Sequence, residues 1–274
     1  KLSEQEKWLK ADQLAYFDVL KKRSDNRKAS EKIQKSDRGR RPKEIYLDDR
    51  TADQLQLSPD GKYITYRLSK APAVKATLVP NYVTESGFTE DIPARTKVGV
   101  NQTQYDMMVY DIDRDTVFTV KTDDLPGIQD QPAFKKDYPA KPAKDGKGTK
   151  AENRGVVFFG PIWSDQGKNN VVIAQSIDNK DRWLLYLDVA SHKFTSIDRL
   201  HDDAWVGGPA LGFGMSVTGW VNDNTLWFLS EETGYSHLYT YDKKKKKRQA
   251  LTSGKYEVQR VDLSKDKKYF YLST

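Results

Sequence analysis

Cysteine is absent from this 274-residue sequence, and histidine occurs only three times, as His192, His201 and His237. The first absence excludes a disulfide scaffold, thiolate zinc sites, iron–sulfur clusters and a cysteine nucleophile. The second leaves little material for a histidine metal cluster. Long apolar runs are missing too: stretches such as Val171-Val172-Ile173-Ala174 fall far short of the roughly 20 residues that span a bilayer. A basic surplus is missing from most of the chain. Residues 1–43 hold 14 Lys and Arg against 7 Asp and Glu, so of the totals of 46 and 39 the remaining residues hold 32 of each. The pI of 9.2 therefore belongs to one end, and the electrically balanced remainder argues against a nucleic-acid partner. No signal peptide opens the chain, and position 1 is Lys rather than Met, so a leader removed upstream is the expectation.

What is present is aromatic and turn-rich. Six Trp, 15 Tyr and 10 Phe sit in a chain that is only 37% hydrophobic, a mix that favours β architecture over helix bundles. The first segment is the exception. Ser3 and Glu6 form a capping box, and Leu9, Tyr16, Phe17 and Leu20 recur at helical spacing, which predicts a helix from about Glu4 to Arg23. Residues 24–43, ending in Arg40-Arg41-Pro42, read as a charged extension of that helix or a solvated linker. The expected organisation is an amphipathic helix and basic linker over 1–43 and β structure over 44–274.

From Glu44 the periodicity becomes that of strands. Ser58-Pro59-Asp60-Gly61 is a turn between two strand patterns, and the same shape returns at Ser164-Asp165-Gln166-Gly167, Asn222-Asp223-Asn224 and Ser264-Lys265-Asp266-Lys267. A second hairpin follows the first three copies, with turns after Asp111, Asp188 and Asp242. Four strands per unit, repeated, is the signature of β-propeller blades. From Ser164 to Val221 is 57 residues and from Val221 to Ser264 is 43, near the roughly 40–50 of a blade. From Ser58 to Ser164 is 106, which means one blade with long insertions or two blades with one blurred. Insertions over 79–104 and 125–153 account for the excess, and the second reads as a mobile surface loop. The fold class is thus all-β, a partial β-propeller of four-stranded antiparallel blades preceded by one N-terminal α-helix.

The stretch from Ser230-Glu231-Glu232-Thr233-Gly234 through His237-Leu238-Tyr239, followed by Leu251-Thr252-Ser253-Gly254 and Glu257-Val258, resembles the propeller of dipeptidyl peptidase IV-like enzymes in the prolyl oligopeptidase family. Ser216-Val217-Thr218-Gly219-Trp220-Val221 and the Ser58–Gly61 turn fit the same family. The resemblance covers about residues 44–274. It implies the substrate-gating propeller of a serine exopeptidase acting on peptides, periplasmic or secreted, with a C-terminal α/β-hydrolase domain that carries a Ser/Asp/His triad. It also implies that this chain holds the first blades only, and that the N-terminal helix docks on the hydrolase domain or on another chain. A free-standing propeller used as a binding or scaffold module is the alternative.

The chemistry expected of a catalytic domain is missing. Gly214-Met215-Ser216-Val217-Thr218 lacks the second glycine of a nucleophile elbow and precedes a strand, so Ser216 reads as a blade residue. His201 beside Asp202 and Asp203 reads as part of a polar inter-blade loop. In the resembling enzymes a glutamate pair on a helical insertion holds the substrate's amine, but Glu231-Glu232 lie inside the blade motif and do not inherit that role. The candidate substrate-binding acids are Glu85, Glu90 and Asp91 in the first insertion. Lys243–Lys247 reads as a solvated turn, and Gly146-Lys147-Gly148-Thr149-Lys150 lacks the spacing of a phosphate loop, so no cofactor is called for. Trp163, Trp183, Trp220 and Trp227 read as packing residues. Pure protein should leave dipeptide and acyl-peptide chromogenic substrates uncleaved; turnover that disappears on Ser216→Ala would overturn this reading.

Overall fold

The computed structural model describes residues 2–37, 44–97, 99–131, 137, 153–211 and 217–274, which divide into two compact units, Lys1–Tyr46 and Leu47–Thr274. The first is built on α1 (Glu4–Asp37). Its capping box forms: the Ser3 N–H donates to Glu6 Oε2 at 2.7 Å and the Glu6 N–H to Ser3 Oγ at 3.3 Å. The helix outruns the expected end at Arg23. Residues 24–37 lack Gly and Pro and are rich in Lys, Arg, Glu and Gln, which are good helix formers without any apolar stripe. Arg27 and Glu31 add an i,i+4 pair at 3.8 Å. Trp8, Leu9, Tyr16, Phe17 and Leu20 are all exposed. Arg40-Arg41-Pro42 lie outside the described residues.

The second unit is antiparallel β structure. β1 (Thr51–Leu57) and β2 (Tyr63–Lys70) are followed by an inserted hairpin, β3 (Thr77–Asn81) and β4 (Glu90–Ala94). The chain returns as β5 (Gln104–Asp111) and β6 (Thr116–Thr119), giving sheet I the order β1-β2-β5-β6. Among the described residues, the 106-residue interval therefore holds one four-stranded unit with two insertions. Sheet II joins β7 (Val156–Trp163), β8 (Asn170–Ser176), β9 (Asp181–Asp188) and β10 (Lys193–His201). Sheet III joins β11 (Thr218–Asn222), β12 (Thr225–Ser230), β13 (His237–Asp242) and β14 (Lys247–Ala250), and β15 (Arg260–Leu263) pairs with β16 (Phe270–Ser273). No closed ring of sheets forms among the described residues. The β3–β4 hairpin was not legible because Pro80 and Pro93 stand inside its strands, where proline normally argues against a ladder.

Two recurring turns set the register. In the first, Ser58 Oγ donates to Asp60 Oδ1 at 2.6 Å and accepts the Tyr63 N–H at 2.9 Å, while Gly61 takes φ +71°. Ser264 repeats this with Asp266 at 2.7 Å and the Tyr269 N–H at 3.0 Å, and Lys267 occupies the left-handed position at φ +58°. In the second turn an aspartate accepts main-chain N–H groups: Asp111 from Arg114, Asp188 from Ser191 and Asp242 from Lys245, at 3.0–3.2 Å. The residue four places on, Asp115, His192 or Lys246, then has positive φ. The sequence repeat is thus a repeat of hydrogen bonds.

Alternation along the strands buries sheet II on both faces. Val172, Ala174, Trp183, Leu185 and Leu187 pack with Met107 and Val109 of sheet I. Val171, Ile173 and Leu184 pack with Trp220, Leu226 and Phe228 of sheet III. Trp183, Trp220 and Trp227 are buried packing residues, as expected, while Trp163 is half-buried. Part of the 125–153 insertion corrects the expectation of a surface loop. Leu125 and Ile128 are buried in the same cluster as Trp183, whose indole N–H donates to Pro126 O at 2.9 Å. The apolar residues that immediately flank Pro126-Gly127 carry that anchoring, whereas the Lys141–Lys150 run lies outside the described residues. Trp183→Ala should cost about 3–5 kcal/mol, and Trp205→Ala, at a residue 71% exposed, within about 0.5 kcal/mol. Urea unfolding of the two variants checks the contrast.

Candidate functional site

Antiparallel connectivity sorts the connections of each sheet onto two sides. The β1–β2, β5–β6, β7–β8, β9–β10, β11–β12 and β13–β14 connections are short turns on one side. These turns also meet one another: the Gln166 N–H donates to Asp223 Oδ1 at 3.1 Å, Lys267 pairs with Asp165, and Gly167 abuts Pro59. Gly167 has φ +68°, and a Cβ there would come within 2.3 Å of the Pro59 ring. Among the described residues, the opposite, loop side carries the β3–β4 hairpin, residues 120–131 and 153–155, the 177–180 turn and residues 202–211.

The hairpin places the three candidate acids. Glu85 stands in its turn, and Glu90 and Asp91 open β4 opposite Asn81 and Pro80. All three are exposed. Adjacent positions in a strand face opposite ways, so Glu90 and Asp91 do not converge. Ser86 Oγ donates to Glu90 Oε1 at 3.3 Å, which keeps that carboxylate beside the turn that carries Glu85. Tyr82, Val83 and Phe88 around the tip are more than three-quarters exposed. At the hairpin's base is an open recess of about 660 Å³ lined by Val74, Lys75, Thr77, Lys97, Val100 and Asn101.

The loop side also carries an ion cluster that no sequence spacing announced, because its paired members are 18 to 69 residues apart. Asp181, fully buried, accepts from Arg199 Nε at 2.7 Å, faces His201 Nδ1 at 3.0 Å and pairs with Arg154. Arg154 also reaches Asp178 at 3.2 Å and donates to Gly127 O at 2.8 Å. Burial drives the Asp178 pKa up, but the Ser176 hydroxyl, the Lys180 N–H and Arg154 outweigh it and hold the carboxyl below its ordinary value. A second cluster ties sheet II to sheet III. Arg182 and Asp198, both fully buried, pair at 2.8 Å, and Arg182 Nη2 donates to Leu229 O at 3.1 Å. Burial lowers the Arg182 pKa against the pull of Asp198. Arg248 touches both Asp198 and Glu232.

Glu231 and Glu232 thus part company. Glu232 is an ion-pair partner, while Glu231 accepts the Ala210 N–H at 3.3 Å and has no ion pair among the described residues. Its carboxylate fits against Gly208, where a Cβ would come within 2.3 Å of Oε1. Burial raises the Glu231 pKa, and Glu257 and Asp202 add to the rise. His201 is not a loop residue but the end of β10, held by Asp181. His237 lies between Thr252 Oγ1 at 3.2 Å and Gly254 O at 3.1 Å, and His192 stacks on Phe118. No serine–histidine–carboxylate arrangement is present among the described residues, and Ser216 lies outside them. Among the described residues no group of three His, Asp or Glu side chains is placed to hold a metal ion. Lys243–Lys246 form a turn, as expected, and Lys247 opens β14, with Lys243 Nζ 3.4 Å above the Tyr186 ring.

Residues 154–274 match the family described as the dipeptidyl peptidase IV (DPP IV) N-terminal region. No curated protein matches the chain by sequence. Among solved structures, Porphyromonas gingivalis dipeptidyl peptidase 4 is similar at 16% identity and a TM-score of 0.52, covering 76% of this chain and 25% of that one. A structure described as a putative dipeptidyl aminopeptidase IV from Bacteroides ovatus shows 12% identity and a TM-score of 0.49, covering 78% and 28%. The chain spans about a quarter of the length of these two structures, and at 16% identity the likeness to the first is one of fold.

The Glu231 pKa gives a pH test. An acid whose pKa is raised on folding makes the native state bind the extra proton, so its ionisation costs stability as pH rises above the ordinary carboxylate range. Glu231→Gln keeps the bond from Ala210 and removes that cost. The variant should melt higher than the parent at pH 7, with the difference shrinking towards pH 4; thermal scans at both pH values check it.

Proposed function

We propose that this chain is the substrate-gating propeller portion of a serine exopeptidase, acting on peptides together with an α/β-hydrolase domain that supplies the Ser/Asp/His triad. The match of residues 154–274 to the DPP IV N-terminal region carries this reading. The repeated four-stranded sheets support it as propeller blades, and the one-sided distribution of insertions supports a single working face. A periplasmic or secreted setting goes with this reading. The exposed stripe of Leu9, Tyr16, Phe17 and Leu20 is then a docking strip for the hydrolase domain or another chain.

In this reading the β3–β4 hairpin receives the peptide's amino terminus. A peptide α-amine is largely protonated at neutral pH, with a pKa of about 7.7–8.0. Glu85 and Glu90 on one flank, or Asp91 on the other, present carboxylates with no ion-pair partner among the described residues. Such exposed charges attract a cation weakly alone and strongly only when a closing domain excludes water. Calorimetric titration of the chain with an unblocked dipeptide tests the anchor. The triple variant Glu85→Gln, Glu90→Gln, Asp91→Asn should weaken binding about tenfold, equivalent to ~1.4 kcal/mol. Unchanged affinity in that variant would remove the hairpin from the substrate path.

A further inference from the structure

On the loop side, sheet I carries an unfinished edge. β6 pairs with β5 only from Thr116↔Asp111 to Thr119↔Met108, and the Val120 N–H makes one more bond, to Met107 O at 2.9 Å. The chain then turns away, with the Leu125 N–H bonded to Thr122 O at 3.1 Å. β5, however, extends three residues further towards its start, through Asp106, Tyr105 and Gln104. These three remain paired to β2, through Leu68, Ser69 and Lys70. Their other edge has no strand among the described residues.

The parity of the ladder fixes which groups are left over. Main-chain groups two residues apart in a strand point the same way. Met107 O faces β6, so the Tyr105 N–H and C=O face the side that β6 has vacated. That side is a recess of about 370 Å³, lined among others by Tyr105, Lys121, Thr122, Gly155 and Phe158. It shares Gln104, Arg154 and Gly155 with a second recess of about 360 Å³, which reaches Gln102, Thr103 and Ile177. The floor is rigid: Arg154 is clamped by Asp178 and Gly127, and its N–H donates to Ile128 O at 2.9 Å. Phe158 below it is buried in the core shared by sheets I and II.

An open strand edge with both hydrogen-bonding groups presented, on a fixed floor and beside an elongated cleft, is a template for one more strand. We propose that a peptide in extended conformation adds to β5 along Gln104–Asp106, exchanging both main-chain bonds with Tyr105 and laying alternate side chains into the two recesses. Three residues of edge, about 10 Å long, suit a tripeptide-sized segment. Recognition is through the peptide main chain, so it is tolerant of side-chain identity and independent of a free amine. The inference rests on the reading of this chain as a peptide-handling propeller, but on residues separate from the acidic hairpin.

An acetylated, amidated Thr-Val-Thr tripeptide is the probe, added at millimolar concentration to the full chain, with residue-resolved amide exchange as the readout. Exchange at Tyr105 should slow at least tenfold, and the same peptide N-methylated at every residue should leave it unchanged, since methylation removes the donors that an added strand needs. No slowing at Tyr105, or equal slowing by the methylated analogue, overturns the proposal. Because the probe has no amine, its failure leaves the hairpin titration untouched, and failure of that titration leaves this one to be read on its own.

Discussion

The burial of sheet II on both faces is the constraint on which the second unit depends. Strand side chains alternate, so a sheet sandwiched between two others needs apolar residues at nearly every position. β8 and β9 meet that demand with Val171–Ala174 and Trp183–Leu185, every one of them buried. One face closes on sheet I and the other on sheet III. Those contacts place the sheets side by side with their tight turns together. Once the turns are together, antiparallel connectivity leaves every long connection on the opposite side.

That geometry explains why charge is tolerated where it is. Asp181, Arg182 and Asp198 sit at the loop-side ends of the core strands β9 and β10, fully buried and each held by an opposite charge. Buried pairs of this kind add little net stability over an apolar replacement but are costly to break, because the surviving charge has no water. Arg182 joins Asp198 within sheet II and Leu229 O in sheet III, so it also fixes how those two sheets meet. The two recesses beside Arg154 and Asp178 stand above this fixed floor. Charge buried below and insertions exposed above divide the loop side into a scaffold and a working surface.

Local features were legible in the sequence; distant pairings were not. The Ser58 and Ser264 turns could be read because their hydrogen bonds close within five residues. The aspartate turns after Asp111, Asp188 and Asp242 close within three. The helix start was legible for the same reason, while its continuation to Asp37 rests on propensity without periodicity. Of the candidate site, Glu85, Glu90 and Asp91 were found as exposed acids in an insertion, but the strand that separates Glu90 from Asp91 was hidden by Pro80 and Pro93. The Asp181 and Asp198 clusters and the open edge at Tyr105 arise from strand pairing, and no residue type announces them. The anchoring of Leu125 and Ile128 was missed because two apolar residues in a Pro- and Lys-rich stretch show no period.

The central claim is that the loop side, and not the turn side, handles peptide. A hydrogen-exchange difference map of the whole chain, with and without saturating unblocked tripeptide, tests it most directly. The account predicts protection within 77–106, 119–131, 153–158 and 177–181, and none at the turns around Asp60, Gly167, Asp223 and Lys267. Protection centred on those turns, or spread evenly over both sides, would contradict it.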